Sequence, residues 1–238
     1  MKKSLSLTLL AAAGLIVFSV ASCGGSSQPQ AKSNVSEEAK QVAKANYSYD
    51  EENAYSTVSS GKGTISGFKG FSVYTDARSP DNHYIASGYM GDYSDVKIDN
   101  ASFDNPHSGT TCIKVAYSNA SSQGARWSGM YWQSPANNWG DKKGGFDLTG
   151  ATKLTLWVRG AKGGERIEEF KIGGITGLYP DSDIAGIGPV LLTTEWQRHE
   201  IDLSGKDLSY ISGGFCWSSN LDVNPDGVTF YLDDIKYE

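Results

Sequence analysis

From Phe68 to the C-terminus, short runs of β-branched and aromatic residues alternate with turns rich in Gly, Asn, Asp and Pro, and helical periodicity is nearly absent. A chain patterned this way has few helical stripes to bury and many strand faces. The expected strands are 70–76, 112–118, 127–133, 153–159, 168–173, 196–203, 213–218 and 229–237, separated by turn signals at intervals typical of sandwiches. Several alternate strictly. Ile113, Val115 and Tyr117 oppose Cys112, Lys114 and Ala116, and Leu154, Leu156 and Val158 oppose Thr155, Trp157 and Arg159. Side chains change face at every residue of a strand, so one face of each should be core and the other open. In the last strand Phe230 and Leu232 share one face and Tyr231 and Asp233 the other, so Asp233 needs a partner. The number of strands predicts an all-β fold of two packed sheets, a β-sandwich of jelly-roll type.

The first residues have a different character. Lys2 and Lys3 precede an apolar run from Leu5 to Val20 that ends in Ala21 and Ser22 before Cys23. This is the pattern of a signal peptide, shorter than the roughly 20 apolar residues of a membrane-spanning helix. Val20-Ala21-Ser22-Cys23 resembles the bacterial lipobox, which implies cleavage after residue 22 and lipidation of Cys23. Residues 24–44 are polar and small, apart from a thin apolar face at Val35, Ala39, Val42 and Ala43. The expected organisation is a signal peptide over 1–22, a lipid-anchored flexible linker over 23–66 and one domain over 67–238. Gly24 stands where many inner-membrane lipoproteins carry Asp, which favours an outer-membrane address in the cell envelope.

Loss of Lys2 and Lys3 with the signal takes the formal charge from −6 to −8, which argues against a nucleic-acid partner and for a neutral ligand. Cys112 and Cys216 remain beside Cys23 in a compartment where disulfides form. Pairing and a pair of small buried thiols are both open; a domain with an adequate core needs no disulfide framework. The three histidines, His83, His107 and His199, lack metal-ligand spacing, and there is no nucleophile elbow or phosphate loop. No catalytic residues are assigned.

The order of segments from Leu154-Thr155-Leu156-Trp157-Val158-Arg159-Gly160 through Phe170-Lys171-Ile172-Gly173-Gly174, Glu195-Trp196-Gln197 and Ile201-Asp202-Leu203 to Phe230-Tyr231-Leu232-Asp233-Asp234-Ile235 resembles the galactose-binding-like jelly rolls among carbohydrate-binding modules. The stretch 82–111 shows less of it. The resemblance implies a structural calcium held by acids of the early and closing strands, where Asp76, Asp233 and Asp234 match best and Asp92 is a weaker candidate. Calcium takes six to eight oxygen ligands, mostly carboxylate and carbonyl. It also implies sugar binding on aromatic rings.

Trp127, Tyr131, Trp132 and Trp139 are the densest group of rings in the chain, broken by Gly, Ser, Asn and Pro. Alternation puts Trp127, Gly129 and Tyr131 on one face and Ser128, Met130 and Trp132 on the other. Trp132 and Trp139 are expected to meet the ligand, with Trp127 or Tyr131 as packing. Trp217 joins them as a ring candidate. Arg159 is the first polar candidate, because its planar fork suits adjacent hydroxyls, with Lys171 behind it. Trp196 reads as core. Glu200-Ile201-Asp202-Leu203 resembles the start of a laminarinase-type catalytic strand, but Ser204 and Gly205 stand where its third acid would be, and a retaining mechanism needs two opposed carboxyl groups.

The expected role is non-catalytic binding of a polysaccharide, glucan-like in character, by a lipoprotein anchored in the membrane and working beside a glycan-degrading enzyme. The alternative is a structural or assembly lipoprotein that docks a protein on the sandwich face.

Overall fold

The computed structural model describes residues 68–238; the expected signal peptide, Cys23 and the linker lie outside them. Among the described residues thirteen strands form: β1 (Phe71–Tyr74), β2 (Ile85–Gly91), β3 (Val96–Ser102), β4 (Cys112–Tyr117), β5 (Trp127–Gln133), β6 (Lys153–Gly160), β7 (Arg166–Ile167), β8 (Glu169–Gly173), β9 (Ile184–Ile187), β10 (Val190–Leu191), β11 (Gln197–Asp202), β12 (Gly213–Asn220) and β13 (Val228–Tyr237). They build a β-sandwich. One sheet runs β11-β6-β13-β4-β3, with β1 added to β13; the other runs β2-β5-β12-β8-β9; β7 and β10 make a small ribbon. All pairings are antiparallel.

Alternation decides what each sheet presents to the other. Ile113, Val115 and Tyr117 of β4, Leu154, Leu156 and Val158 of β6, and Phe230 and Leu232 of β13 point inward from the six-stranded sheet. Met130 and Trp132 of β5, Phe170 and Ile172 of β8, and Phe215 and Trp217 of β12 answer from the five-stranded one. Trp217 meets Phe230 edge-on across the interface at 5.2 Å between ring centres. Two tyrosines add hydrogen bonds inside it: Tyr237 donates to the carbonyl of Gly214 at 2.6 Å, and Tyr84 to that of Ile211 at 2.9 Å. Cys112 and Cys216 are buried free thiols, one on each sheet.

Strands rich in β-branched residues fall where expected, whereas β2, β3, β9 and the short β7 and β10 lie outside the expected strands. β2 reads IASGYMG and β9 reads IAGI, sequences whose glycines and small residues suit close strand packing but dilute any strand pattern. The outer face of β6, expected to be open, is covered. Residues 103–111 lie across it: His107 stacks on Trp157 at 3.8 Å, and Arg159 donates to the carbonyl of Asp104 at 2.6 Å. Thr155 and Arg159 are both buried.

Candidate functional site

The residues Trp127, Gly129 and Tyr131 of β5 point away from the core, on the outer face of the five-stranded sheet. Beside them β12 contributes Cys216 and Ser218, in register with Tyr131 and Gly129, and β8 contributes Lys171 and Glu169, in register with Cys216 and Ser218. Tyr131, Ile175 and Cys216 form a small apolar cluster separate from the main core, with Met90 and Trp139 packed against it. The Trp139 ring meets Tyr131 edge-on, 5.9 Å between centres and 85° between planes. Trp127 is 41% exposed at the far end of the strand. At roughly 3.3 Å per residue, Trp127 and Tyr131 are about 13 Å apart along β5. Small side chains, Gly129 and Ser218, lie between these two aromatic ends.

Polar groups line the same face. Lys171 lies 5.6 Å from the Tyr131 ring centre and pairs with Glu169 at 3.1 Å. Tyr131 donates to the carbonyl of Gly173 at 3.1 Å, which fixes its ring. Asp181, next to Ile175 and Gly213, accepts from the Ile175 amide at 3.0 Å and from the Ser212 hydroxyl at 2.6 Å. Burial pushes its carboxyl above the usual range in spite of these donors. Burial likewise pushes the Cys216 thiol up to about 12, so it is no nucleophile.

The residues named from sequence divide between the two sheets. Trp139 and Lys171 stand on this face. Trp132 and Trp217 do not: they are 2% and 0% exposed, inside the sandwich, where Trp132 packs on Phe215. A sugar would have to part the sheets to reach either ring. Arg159 belongs to the other sheet, its guanidinium 3.7 Å above the Tyr231 ring and 5.2 Å from that of Trp196. Trp196 itself is half-buried, not core, and donates to the carbonyl of Asn105 at 3.0 Å. Of Trp127 and Tyr131, one of which was expected as packing, both turn to the outer face: Trp127 is exposed, and Tyr131 is buried there against Ile175 and Cys216. The period of two separates the faces of a strand but does not say which turns inward; the inward registers of Met130 and Trp132 with Trp217 and Phe215 decide it.

The three acids proposed as calcium ligands do converge, on the loop 103–111. Asp76 accepts from the Thr111 amide and hydroxyl, each at 2.8 Å, and from the Thr110 amide at 3.1 Å. Asp233 takes the His107 and Ser108 amides at 2.9 and 3.2 Å, the partner its buried position required. Asp234 meets His107 Nδ1 at 3.0 Å and Lys236 Nζ at 2.7 Å. A register shift after Asp233, with Asp234 at φ +46°, lets both neighbours face the loop. Burial pushes Asp233 up to about 6 against the pull of its amide donors. These carboxylates receive N–H and O–H donors and, at Asp234, a lysine. Among the described residues no group of three or more His, Cys, Asp or Glu is arranged to hold a metal. Thermal melting with and without EDTA tests for such an ion, since a ligand bound only by the native state raises the melting temperature and its removal would lower it.

No family model and no curated protein matches the chain. Among the solved structures it resembles are several carbohydrate-binding modules. One of family 30 is 16% identical with a TM-score of 0.49, covering 71% of this chain and 98% of its own. A family 11 module from Clostridium thermocellum, in complex with a β-1,3-1,4-mixed-linked tetrasaccharide, is 15% identical with a TM-score of 0.42, covering 63% of this chain and 84% of its own. A xylan-binding domain from Paenibacillus barcinonensis is 12% identical with a TM-score of 0.41, covering 71% of this chain and 91% of its own.

Proposed function

We propose that this domain binds carbohydrate without cleaving it, on the outer face of the five-stranded sheet, and that the ligand is a neutral, glucan-like polysaccharide. The observation that carries this reading is the pair of aromatic ends, Trp127 and the Tyr131–Trp139 corner, on one outward face with small residues between them. Pyranose rings present apolar faces to such side chains, and Lys171 and Glu169 are placed to meet hydroxyl groups. The two nearby carboxylates already have partners and are not an opposed free pair: Glu169 pairs with Lys171, and Asp181 accepts from Ile175 and Ser212. That favours a face that holds a sugar over one that hydrolyses it. Affinity electrophoresis through gels containing β-1,3-1,4-mixed-linkage glucan, xylan or mannan tests it. Retardation by the glucan is expected; no retardation by any polymer would remove the reading and favour a protein partner.

The Val20–Cys23 motif supports a second part of this proposal, that the domain hangs from a lipidated Cys23 in the outer membrane and keeps polysaccharide close to a degrading enzyme. Cys23→Ser is expected to move the protein from the detergent phase to the aqueous phase in phase partitioning.

A further inference from the structure

Trp139 sits on an irregular loop, residues 134–145, and a ring that has to meet a ligand from a loop needs that loop fixed. We infer that Gln133 and Ser87 are positioning residues for Trp139, setting its ring over Tyr131 from beneath the loop. The functional weight of this inference rests on the proposed sugar-binding role. The geometry does not.

Gln133 is the last residue of β5 and shares the outward face with Tyr131, yet it is 0% exposed because the loop covers it. An apolar side chain would fill such a position at lower cost, since a buried amide must find partners for both its ends. Both ends are used on the loop or its support. Gln133 Nε2 donates to the carbonyl of Asn138 at 2.8 Å, and Gln133 Oε1 accepts from the Ser87 hydroxyl at 2.9 Å. The Ser87 oxygen in turn accepts the Asn137 amide at 2.9 Å. Two consecutive loop residues directly before Trp139 are thereby tied to β2 and β5. Asn138, also 0% exposed, closes the loop on itself: its Oδ1 accepts the Gly140 amide at 3.1 Å, and its Nδ2 donates to the carbonyl of Lys142 at 3.1 Å. From the other side the Tyr179 amide reaches the carbonyl of Gly140 at 2.9 Å. Gly140 adopts φ +83° against the backbone of Thr176, a conformation and an approach that no other residue fits well. The Trp139 indole N–H is buried without a partner inside the domain. Its ring is thus held by the loop and by its contact with Tyr131, not by a hydrogen bond of its own.

The test is hydrogen exchange of the indole N–H groups in the described domain, read by NMR, in Gln133→Met, which keeps shape and removes both hydrogen bonds, and in the milder Ser87→Ala. The Trp139 signal is assigned by its loss in Trp139→Ala. Gln133→Met is expected to speed exchange at Trp139 at least tenfold while the core indole of Trp217 stays as slow as in wild type, with Ser87→Ala intermediate. Unchanged exchange at Trp139, or equal acceleration at Trp217, would overturn the inference, the second by showing general loosening. Binding to soluble β-1,3-1,4-mixed-linkage glucan separates this from the functional reading. If Gln133→Met weakens binding in the wild-type background but not in Trp139→Ala, Gln133 acts through that ring. If the wild type ignores the glucan while the exchange result holds, the glucan reading fails and the positioning role stands.

Discussion

Asp92→Ala should destabilise the domain by several kcal/mol in urea denaturation, because each buried donor left without its acceptor costs about 1–3 kcal/mol. Asp92 is 0% exposed, at the end of β2, and its carboxylate is the common acceptor for the loop before β5. Oδ1 takes the Gln123 and Ala125 amides at 3.1 and 2.9 Å; Oδ2 takes the Arg126 amide at 2.8 Å and the Tyr117 hydroxyl at 3.2 Å. Alanine would leave these donors without an acceptor in a buried position. Asparagine should rescue little, because its NH₂ group would face donors at one of the two oxygen sites. The carboxyl is held below its usual range: burial pushes it up, and the hydrogen bonds led by the Ala125 amide outweigh burial. An acid whose folded pKa is depressed stabilises above its unfolded value, here 3.8, and that stability disappears as pH falls through the folded value. The wild-type advantage over Asp92→Ala should therefore be full at pH 7 and shrink in strong acid. The same loop delivers Trp127, whose carbonyl accepts the Asp92 amide at 2.9 Å, so the substitution should also disturb one end of the aromatic face.

The tryptophans should separate binding from stability. Trp127→Ala and Trp139→Ala are each expected to weaken polysaccharide binding at least tenfold, about 1.4 kcal/mol, with little change in melting, because one ring is 41% exposed and the other is carried on a loop. Trp132→Ala should do the opposite in origin. Its ring is 2% exposed between the sheets, and emptying such a site costs about 3–5 kcal/mol of stability. Any loss of binding there should track unfolding. Isothermal titration and thermal melts on the three variants would distinguish these outcomes.

The two-sheet architecture was legible because β4, β5, β6, β12 and β13 carry enough alternating β-branched and aromatic residues to announce strand and face together. β3 was not, since VKIDNAS loses its apolar alternation after Ile98. The candidate face was half legible. Trp139 and Lys171 could be named from residue type and spacing and lie on the proposed face, and the ring cluster of β5 lies on one of its strands. The choice between Trp127 and Trp132 was not available, because both lie on one strand and only pairing across to Phe215 and Trp217 turns Trp132 inward. Arg159 was read as a free fork, but the loop laid over β6 comes from residues too far away in sequence for local pattern to reveal. Asp76, Asp233 and Asp234, named together by the resemblance, each bond to the loop 103–111, Asp76 and Asp233 through its backbone amides and Asp234 through the His107 ring, and backbone amides leave no trace in residue type.

The proposed site for sugar is the outer face of the five-stranded sheet. Chemical-shift mapping during titration of the domain with a soluble β-1,3-1,4-mixed-linkage oligosaccharide tests it most directly. The predicted result is saturable shifts at Trp127, Tyr131, Trp139 and Lys171, with Trp157, Trp196 and Arg159 on the opposite sheet unmoved. Shifts centred on that opposite sheet, or none at saturating sugar, would contradict it.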